Sequence, residues 1–149
     1  MFRQDPDEAA LAERPTGMRL GFDLVQVSQV AASIRYFGDV YLHRLFTQGE
    51  LEYAQRADGA VCSERLAARL AAKEALIKAL RLADAGIGWR EIEVRKLPDG
   101  DCDLLLHGRT AELAHGMGVM RVLLSLSHDG DYAGAVVSVL FAGSAEIDQ

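Results

Sequence analysis

The stretch from Ser63 to Ala83 constrains this chain most, because it reads as a helix with no side left for solvent. Leu66, Leu70, Ile77 and Leu80 recur at helical spacing, while Ala68, Ala72, Ala75 and Ala79 line nearly the opposite side. A helix that is apolar on two sides is buried by neighbours on both. Yet Lys73 falls inside the leucine stripe, and Glu74 and Lys78 sit together at its margin. Burying such charges costs several kcal/mol each unless they are paired or bind something. The plainer alternative is a Glu74–Lys78 pair on a surface helix, worth about 0.3–0.5 kcal/mol.

The rest of the chain supplies short elements to pack around this helix. Residues 1–17 are polar, carry Pro6 and Pro15, and read as a flexible N-terminal extension. From Met18 to Val27 the residues alternate, with Met18, Leu20, Phe22 and Leu24 on one face and Asp23, Val25 and Val27 on the other, which predicts a strand. Ser28 is the expected N-cap of a helix stopped by Gly38, and Asp39 the expected cap of a second, short helix. Thr47 and Glu50 have the spacing of a capping box and open a third. Trp89 to Lys96 and Cys102 to Leu106 read as a hairpin turning at Pro98-Asp99-Gly100. A helix over Arg109–His115 follows, then two strands, Met120–Ser127 and Tyr132–Phe141, joined around Asp129-Gly130. With no internal repeat and no linker, the pattern is one α+β domain over residues 18–142, ending in an acidic tail at 143–149.

With 149 residues, half of them hydrophobic, the chain can bury a genuine core. Its net charge of −6 argues against general nucleic-acid binding. The charge is uneven, however: residues 35–81 carry eight basic and six acidic side chains, so an anion can still be held there. No apolar run is long enough to span a membrane, and no secretory signal pattern opens the chain. Cys62 and Cys102 lack metal-like spacing and read as two structural thiols in a reduced, cytoplasmic setting.

Three polar constellations are candidates for chemistry. Asp23 is the one charge in an apolar stretch of strand, although an edge position facing solvent would also explain it. Lys73, Glu74 and Lys78 form the second group. Ser127 and His128 form the third, at the mouth of a tight turn where a histidine is more often merely exposed. Two carboxylates from different elements, Asp23 and Glu74, are the usual minimum for Mg²⁺, which borrows further ligands from water and substrate phosphates. Lys78, one turn beyond Glu74, can neutralise phosphate charge, and Gly86 and Gly88 permit backbone approach to an anion. There is no P-loop, no convincing Ser-His-Asp triad and no ligand-like spacing among the four histidines. The inventory therefore points to a metal-assisted phosphate site without an internal nucleophile.

At these residues the chain resembles the stand-alone holo-acyl-carrier-protein synthases, the AcpS type of 4′-phosphopantetheinyl transferase. The resemblance is carried by Gly21-Phe22-Asp23-Leu24-Val25, Arg44-Leu45-Phe46-Thr47-Gln48-Gly49-Glu50-Leu51 and Trp89-Arg90-Glu91-Ile92-Glu93-Val94. The Arg69-x-x-x-Lys73-Glu74-Ala75-x-x-Lys78 helix and Leu124-Ser125-Leu126-Ser127-His128 complete it. It implies that residues 18–142 form a phosphopantetheinyl transferase domain, a small antiparallel sheet with a long buried helix. It further implies transfer of the 4′-phosphopantetheine arm of coenzyme A to a serine of an apo acyl carrier protein, with release of adenosine 3′,5′-bisphosphate. By the same resemblance Asp23 and Glu74 would ligate Mg²⁺, Lys78 would hold the pyrophosphate, and Arg69, Ser127 and His128 would help bind the nucleotide end. Homotrimers with sites at subunit interfaces are implied as well. The base that deprotonates the serine stays open among Glu74, a metal-bound water and Lys73. A coenzyme A- or nucleotide-binding module without transferase activity is the alternative.

Three positions depart from the family pattern. Gln26 stands where many members have Glu, Gln29 where many have the Arg that opens the carrier-docking helix, and Arg81 where Gly is common. Loss of an Arg–carboxylate contact weakens the expected grip on an acidic carrier. Carrier preference is therefore expected to differ, toward a polyketide or other specialised carrier.

Overall fold

The computed structural model describes residues 15–143, so all of the tail expected at 143–149 except Gly143, and most of the expected N-terminal extension, lie outside the described residues. In chain order the elements are β1 (Met18–Gln26), α1 (Val27–Phe37), α2 (Asp39–Leu45), α3 (Gln48–Ala54) and α4 (Ser63–Leu80). After a short 3₁₀ turn at Trp89–Glu91 come β2 (Ile92–Lys96), β3 (Cys102–Leu106), α5 (Gly108–Gly116), β4 (Val119–Asp129) and β5 (Tyr132–Phe141). Both sheets are antiparallel: a three-stranded one ordered β1-β5-β4, and the β2-β3 hairpin. The expected α+β architecture with a long buried helix is what the structure has.

α4 organises the molecule. Its alanines, among them Ala71, Ala72, Ala75 and Ala79, are buried, as are Leu66, Leu76 and Leu80. The alanine side lies against the β1-β5-β4 sheet, where Ala135, Val137 and Val139 of β5 close the core. Small side chains let the helix approach closely, and β1 answers with Gly21. A Cβ built on Gly21 would stand 1.8 Å from the carbonyl oxygen of Ala75, so only glycine fits there. The approach has a consequence for chemistry, because it carries Asp23, two residues along the same face of β1, onto the helix.

The alternation in β1 was legible, but its polarity is unusual. Met18, Leu20, Phe22 and Leu24, the more apolar set, are exposed, and the Gly21–Asp23–Val25 face packs on α4. Asp23 is therefore not a solvent-facing edge residue.

Two expected helix caps are corrected. α1 starts at Val27, with Gln26 at its cap position, and Ser28 lies within the first turn. Asp131, from the β4–β5 turn, supplies the missing acceptors: Ser28 N–H donates to its Oδ1 (2.9 Å) and Ser28 Oγ–H to its Oδ2 (2.5 Å). Asp39 is the first residue of α2 rather than its cap, because Gly38 occupies the cap with φ +56°. The Thr47–Glu50 capping box of α3 is present with both reciprocal bonds. α4 stops at Leu80 instead of Ala83, because Arg81 adopts the left-handed conformation at the helix end (φ 56°, ψ 47°). That backbone geometry is the one glycine adopts freely, which explains why Gly suits this position.

Candidate functional site

Lys73 and Glu74 are adjacent in sequence but point to different tasks. Lys73 is fully buried, and its Nζ donates to Glu50 Oε1 (2.7 Å), Ile92 O (2.6 Å) and Trp89 O (3.2 Å). Glu50 answers with both oxygens: Oε1 also accepts the Thr47 N–H (2.9 Å), and Oε2 accepts the Val94 N–H (3.0 Å). Burial pulls the Lys73 ammonium below its ordinary range, and Glu50 opposes that pull. Lys73 is thus a packing pin between α4, α3 and β2, removed from any substrate.

Glu74, a residue further round the helix, meets Asp23 across the β1–α4 contact. Lys78 does not form the alternative surface pair with Glu74; its Nζ donates to Asp23 Oδ1 (2.5 Å) and to Phe22 O (3.3 Å). The other Asp23 oxygen, Oδ2, is buried without a hydrogen-bond partner. Burial first, and the facing Asp23 carboxylate second, push the Glu74 carboxyl up to about 8, with Lys78 pulling the other way. Two carboxyl groups at close quarters resist ionising together unless a cation joins them. The orphaned oxygen, the facing pair and the all-oxygen donor set fit a hard divalent cation such as Mg²⁺. Among the described residues no group of three or more His, Cys, Asp or Glu is placed to hold a metal. A cation here would take its remaining ligands from water and substrate.

The nucleotide-end candidates lie on a separate cavity of about 600 Å³ beside the N-terminal half of α4. Arg69, Ser127 and His128 all line it. Arg69 is 3% exposed; its Nη1 donates to Arg65 O (3.2 Å) and its guanidinium stacks 4.2 Å over the Tyr53 ring, yet its buried Nε–H has no acceptor. Arg56 and Arg65 share the lining, giving three guanidinium groups against the single carboxylate Glu64. Arg69 lies about 7.5 Å along the axis and about 140° round the helix from Glu74, so the arginine-lined cavity and the carboxylate pair occupy different faces of α4.

Gly86 and Gly88 fall in the loop after α4, outside the lining of this cavity, and the Gly88 N–H donates to Glu91 Oε2 (3.3 Å). Arg56, Arg65 and Tyr53 were not anticipated from the sequence. Arg65 had a signal, standing one turn before Arg69 on the same helix; Arg56 had none, because a loop brings it in. Beside Glu74, Gln26, Gln29, Ser33 and Tyr41 line a smaller cavity of about 240 Å³. Burial, and then the charge of Glu74, raise the Tyr41 hydroxyl above its ordinary range, against a hydrogen bond from Ser33 that lowers it.

Comparison with known proteins agrees with this geometry. The 4′-phosphopantetheinyl transferase superfamily profile matches residues 19–137. The chain is 43% identical over 118 residues to the holo-[acyl-carrier-protein] synthase of Koribacter versatilis, covering 78% of this chain and 93% of that one. The synthase of Gloeobacter violaceus is 39% identical over 122 residues, covering 82% and 92%. Among solved structures, the Chronobacterium ammoniagenes ACPS–CoA complex superposes with a TM-score of 0.72 at 34% identity, covering 83% of this chain and 97% of that one. The Helicobacter pylori synthase in complex with coenzyme A gives 0.70 at 25% identity, with 80% and 98% covered. With the profile spanning most of the chain and these relatives matched over nearly their full length, the chain belongs to the 4′-phosphopantetheinyl transferase superfamily, among the holo-acyl-carrier-protein synthases.

Proposed function

We propose that this chain transfers the 4′-phosphopantetheine arm of coenzyme A to a serine of an apo acyl carrier protein, releasing adenosine 3′,5′-bisphosphate. The observation that carries this is the Asp23–Glu74 pair with its orphaned oxygen, formed between β1 and α4, the helix that also borders an arginine-lined cavity. Arg69, with Ser127 and His128, holds the nucleotide end; the unpartnered Arg69 Nε–H is the donor a phosphate oxygen would satisfy. Asp23 and Glu74 would hold Mg²⁺, whose charge when bound offsets that of the pyrophosphate and of the transition state. Lys78, 57% exposed at the end of a long stem, would turn from Asp23 to the pyrophosphate when substrate arrives.

The carrier's serine oxygen attacks the phosphorus bearing the pantetheine arm, and the bond from that phosphorus to the bridging oxygen on the adenosine side breaks. The bridging oxygen leaves with adenosine 3′,5′-bisphosphate. Lys73 cannot receive the serine proton, because it is sealed in the core with three acceptors of its own. That leaves the Glu74 carboxylate, or a water held at the Asp23–Glu74 pair, to take it. Gln26 and Gln29 line the cavity beside Glu74, where a carrier serine would enter, so they bear on carrier preference. We assign the chain a specialised carrier on this basis, and equal turnover of fatty-acid and specialised carriers would refute that assignment.

The test is mass spectrometry of an apo carrier incubated with this protein, coenzyme A and Mg²⁺. A gain of the phosphopantetheine mass is expected, and no gain with several carriers would leave only a coenzyme A-binding module. Glu74→Gln keeps the shape of the pair and removes its charge. It should lower the rate of that gain by about 100-fold or more without changing the thermal unfolding cooperativity. Full activity in the variant would refute the role given to Glu74.

A further inference from the structure

The cavity that holds Arg69, Ser127 and His128 also contains both cysteines, and both are free thiols. They differ in surroundings. Cys62 occupies the N-cap position of the 18-residue helix α4, where the unpaired N–H groups of the first turn favour negative charge. Arg56 Nη2 donates to its sulfur at 3.6 Å. Burial works against a thiolate here, but the Arg65 backbone N–H and the Arg56 side chain outweigh it and hold the thiol below its ordinary range. Cys102, on β3, is the more exposed of the two; it faces the charge of Arg69 but sits at no helix terminus.

The cavity assigned to the nucleotide end favours other small anions by the same chemistry. Arg69 is 97% buried, and its Nε–H points at no acceptor. A buried cationic donor left without a partner calls for an anionic group in the adjoining space. Arg56 and Arg65 reinforce it, with Glu64 as the one opposing carboxylate on the lining. A volume of about 600 Å³ admits a small-molecule ligand rather than a protein segment.

We infer that Cys62 is a thiol–disulfide exchange site for anionic small-molecule disulfides, which Arg56, Arg65 and Arg69 draw into the cavity. The Cys62 sulfur, as thiolate, attacks one sulfur of the disulfide. A new S–S bond forms to Cys62 as the original S–S bond breaks, and the other half leaves as a thiolate that takes up the proton Cys62 had lost. Cys62 is oxidised, the departing half is reduced, and no other oxidant enters. The adduct would fill the cavity until a free thiol removed it. Exchange at Cys62 needs no transferase activity, so the two assignments can fail separately.

The experiment uses full-length single-thiol variants, Cys102→Ser to leave Cys62 and Cys62→Ser to leave Cys102. Each is incubated with glutathione disulfide, which is anionic, or with cystamine, which is a cationic disulfide, and intact mass is followed in time. With glutathione disulfide the Cys62-bearing protein should gain the adduct about tenfold faster than the other. That lead should shrink with cystamine and with added salt. Wild-type protein digested early in the reaction should carry the adduct on the Cys62 peptide, a comparison that stands even if one serine variant fails to fold. Equal rates, faster reaction at Cys102, or an unchanged lead with cystamine would overturn the inference.

Discussion

Lys73 shows how one residue can satisfy a sequence pattern and mislead about its meaning. A charge inside a leucine stripe must be paired or bind something, and Lys73 is paired: with Glu50, itself 1% exposed, and with two carbonyls. The Thr47–Glu50 spacing disclosed the capping box but not that the same carboxylate reaches across to α4 and β2. That reach depends on packing between segments far apart in sequence, which no local pattern encodes. Lys73→Met should leave Glu50 buried without its counter-charge and cost about 3–5 kcal/mol. Adding Glu50→Gln should return part of that loss, because the uncompensated charge goes with it. Urea unfolding of the two single variants and the double variant measures the coupling. If Lys73→Met alone unfolds at the wild-type midpoint, the pair does not pin α4 in place.

At the scale of elements, α5 is held by a residue outside it. Its own cap position, His107, contributes no side-chain cap, and the first-turn donors turn instead to Glu91. Glu91 Oε2 accepts from Thr110 Oγ–H (2.7 Å) and Thr110 N–H (3.2 Å), while Oε1 accepts from Arg109 N–H (3.4 Å). The Thr110 hydroxyl first, and then these backbone donors together with Gly88 N–H, hold the Glu91 carboxyl below its ordinary range despite some desolvation. A carboxyl depressed in the folded state gives stability that is fully present above its unfolded pKa, near 4.5, and is lost as pH falls through the folded value. Between those values the unfolded chain binds the proton and the folded one does not. Melting temperature should therefore drop more steeply below about pH 5 in the wild type than in Glu91→Gln. Parallel curves from pH 6 to pH 3 would show that Glu91 does not anchor α5 electrostatically. The existence and order of these elements were legible from periodicity, turn glycines and the hairpin residues. The caps supplied by Glu91 and Asp131 were not, because each acceptor comes from another part of the chain. The same holds for the site. Asp23, Glu74 and Lys78 announce themselves as charges in apolar elements, whereas Arg56 reaches its cavity from a loop.

For the whole molecule, the feature that the described residues leave uncovered is the outer face of the three-stranded sheet. Met18, Leu20, Phe22 and Leu24 of β1 stand in a row, joined by Val136 of β5 and Leu123 of β4, and each is more than 40% exposed. Register places Phe22 beside Val136, and Leu20 beside Ser138, which in turn pairs with Leu123, so these side chains form one continuous apolar surface. Strand alternation told the two faces of β1 apart, but burial within one chain would have put the more apolar face inward. The reverse arrangement follows if that face is buried by other copies, while the glycine-and-aspartate face is kept for α4 and the site. We propose that this surface joins copies of the chain into a homotrimer, as the family resemblance implies. Ser127 and His128 lie at its rim, shared between the arginine-lined cavity and a shallower pocket over Phe22 and Leu24, so assembly would wall the nucleotide end of the site. Phe22→Asp places a charge at the centre of the surface, on the face opposite Asp23, and keeps the backbone carbonyl to which Lys78 donates. Light scattering coupled to size exclusion should give three times the monomer mass for the wild type and the monomer mass for the variant. Carrier modification should fall with the loss of assembly, because one wall of the site is gone. A wild-type chain that is monomeric at micromolar concentration, or a fully active monomeric Phe22→Asp, would show that the apolar face has another purpose.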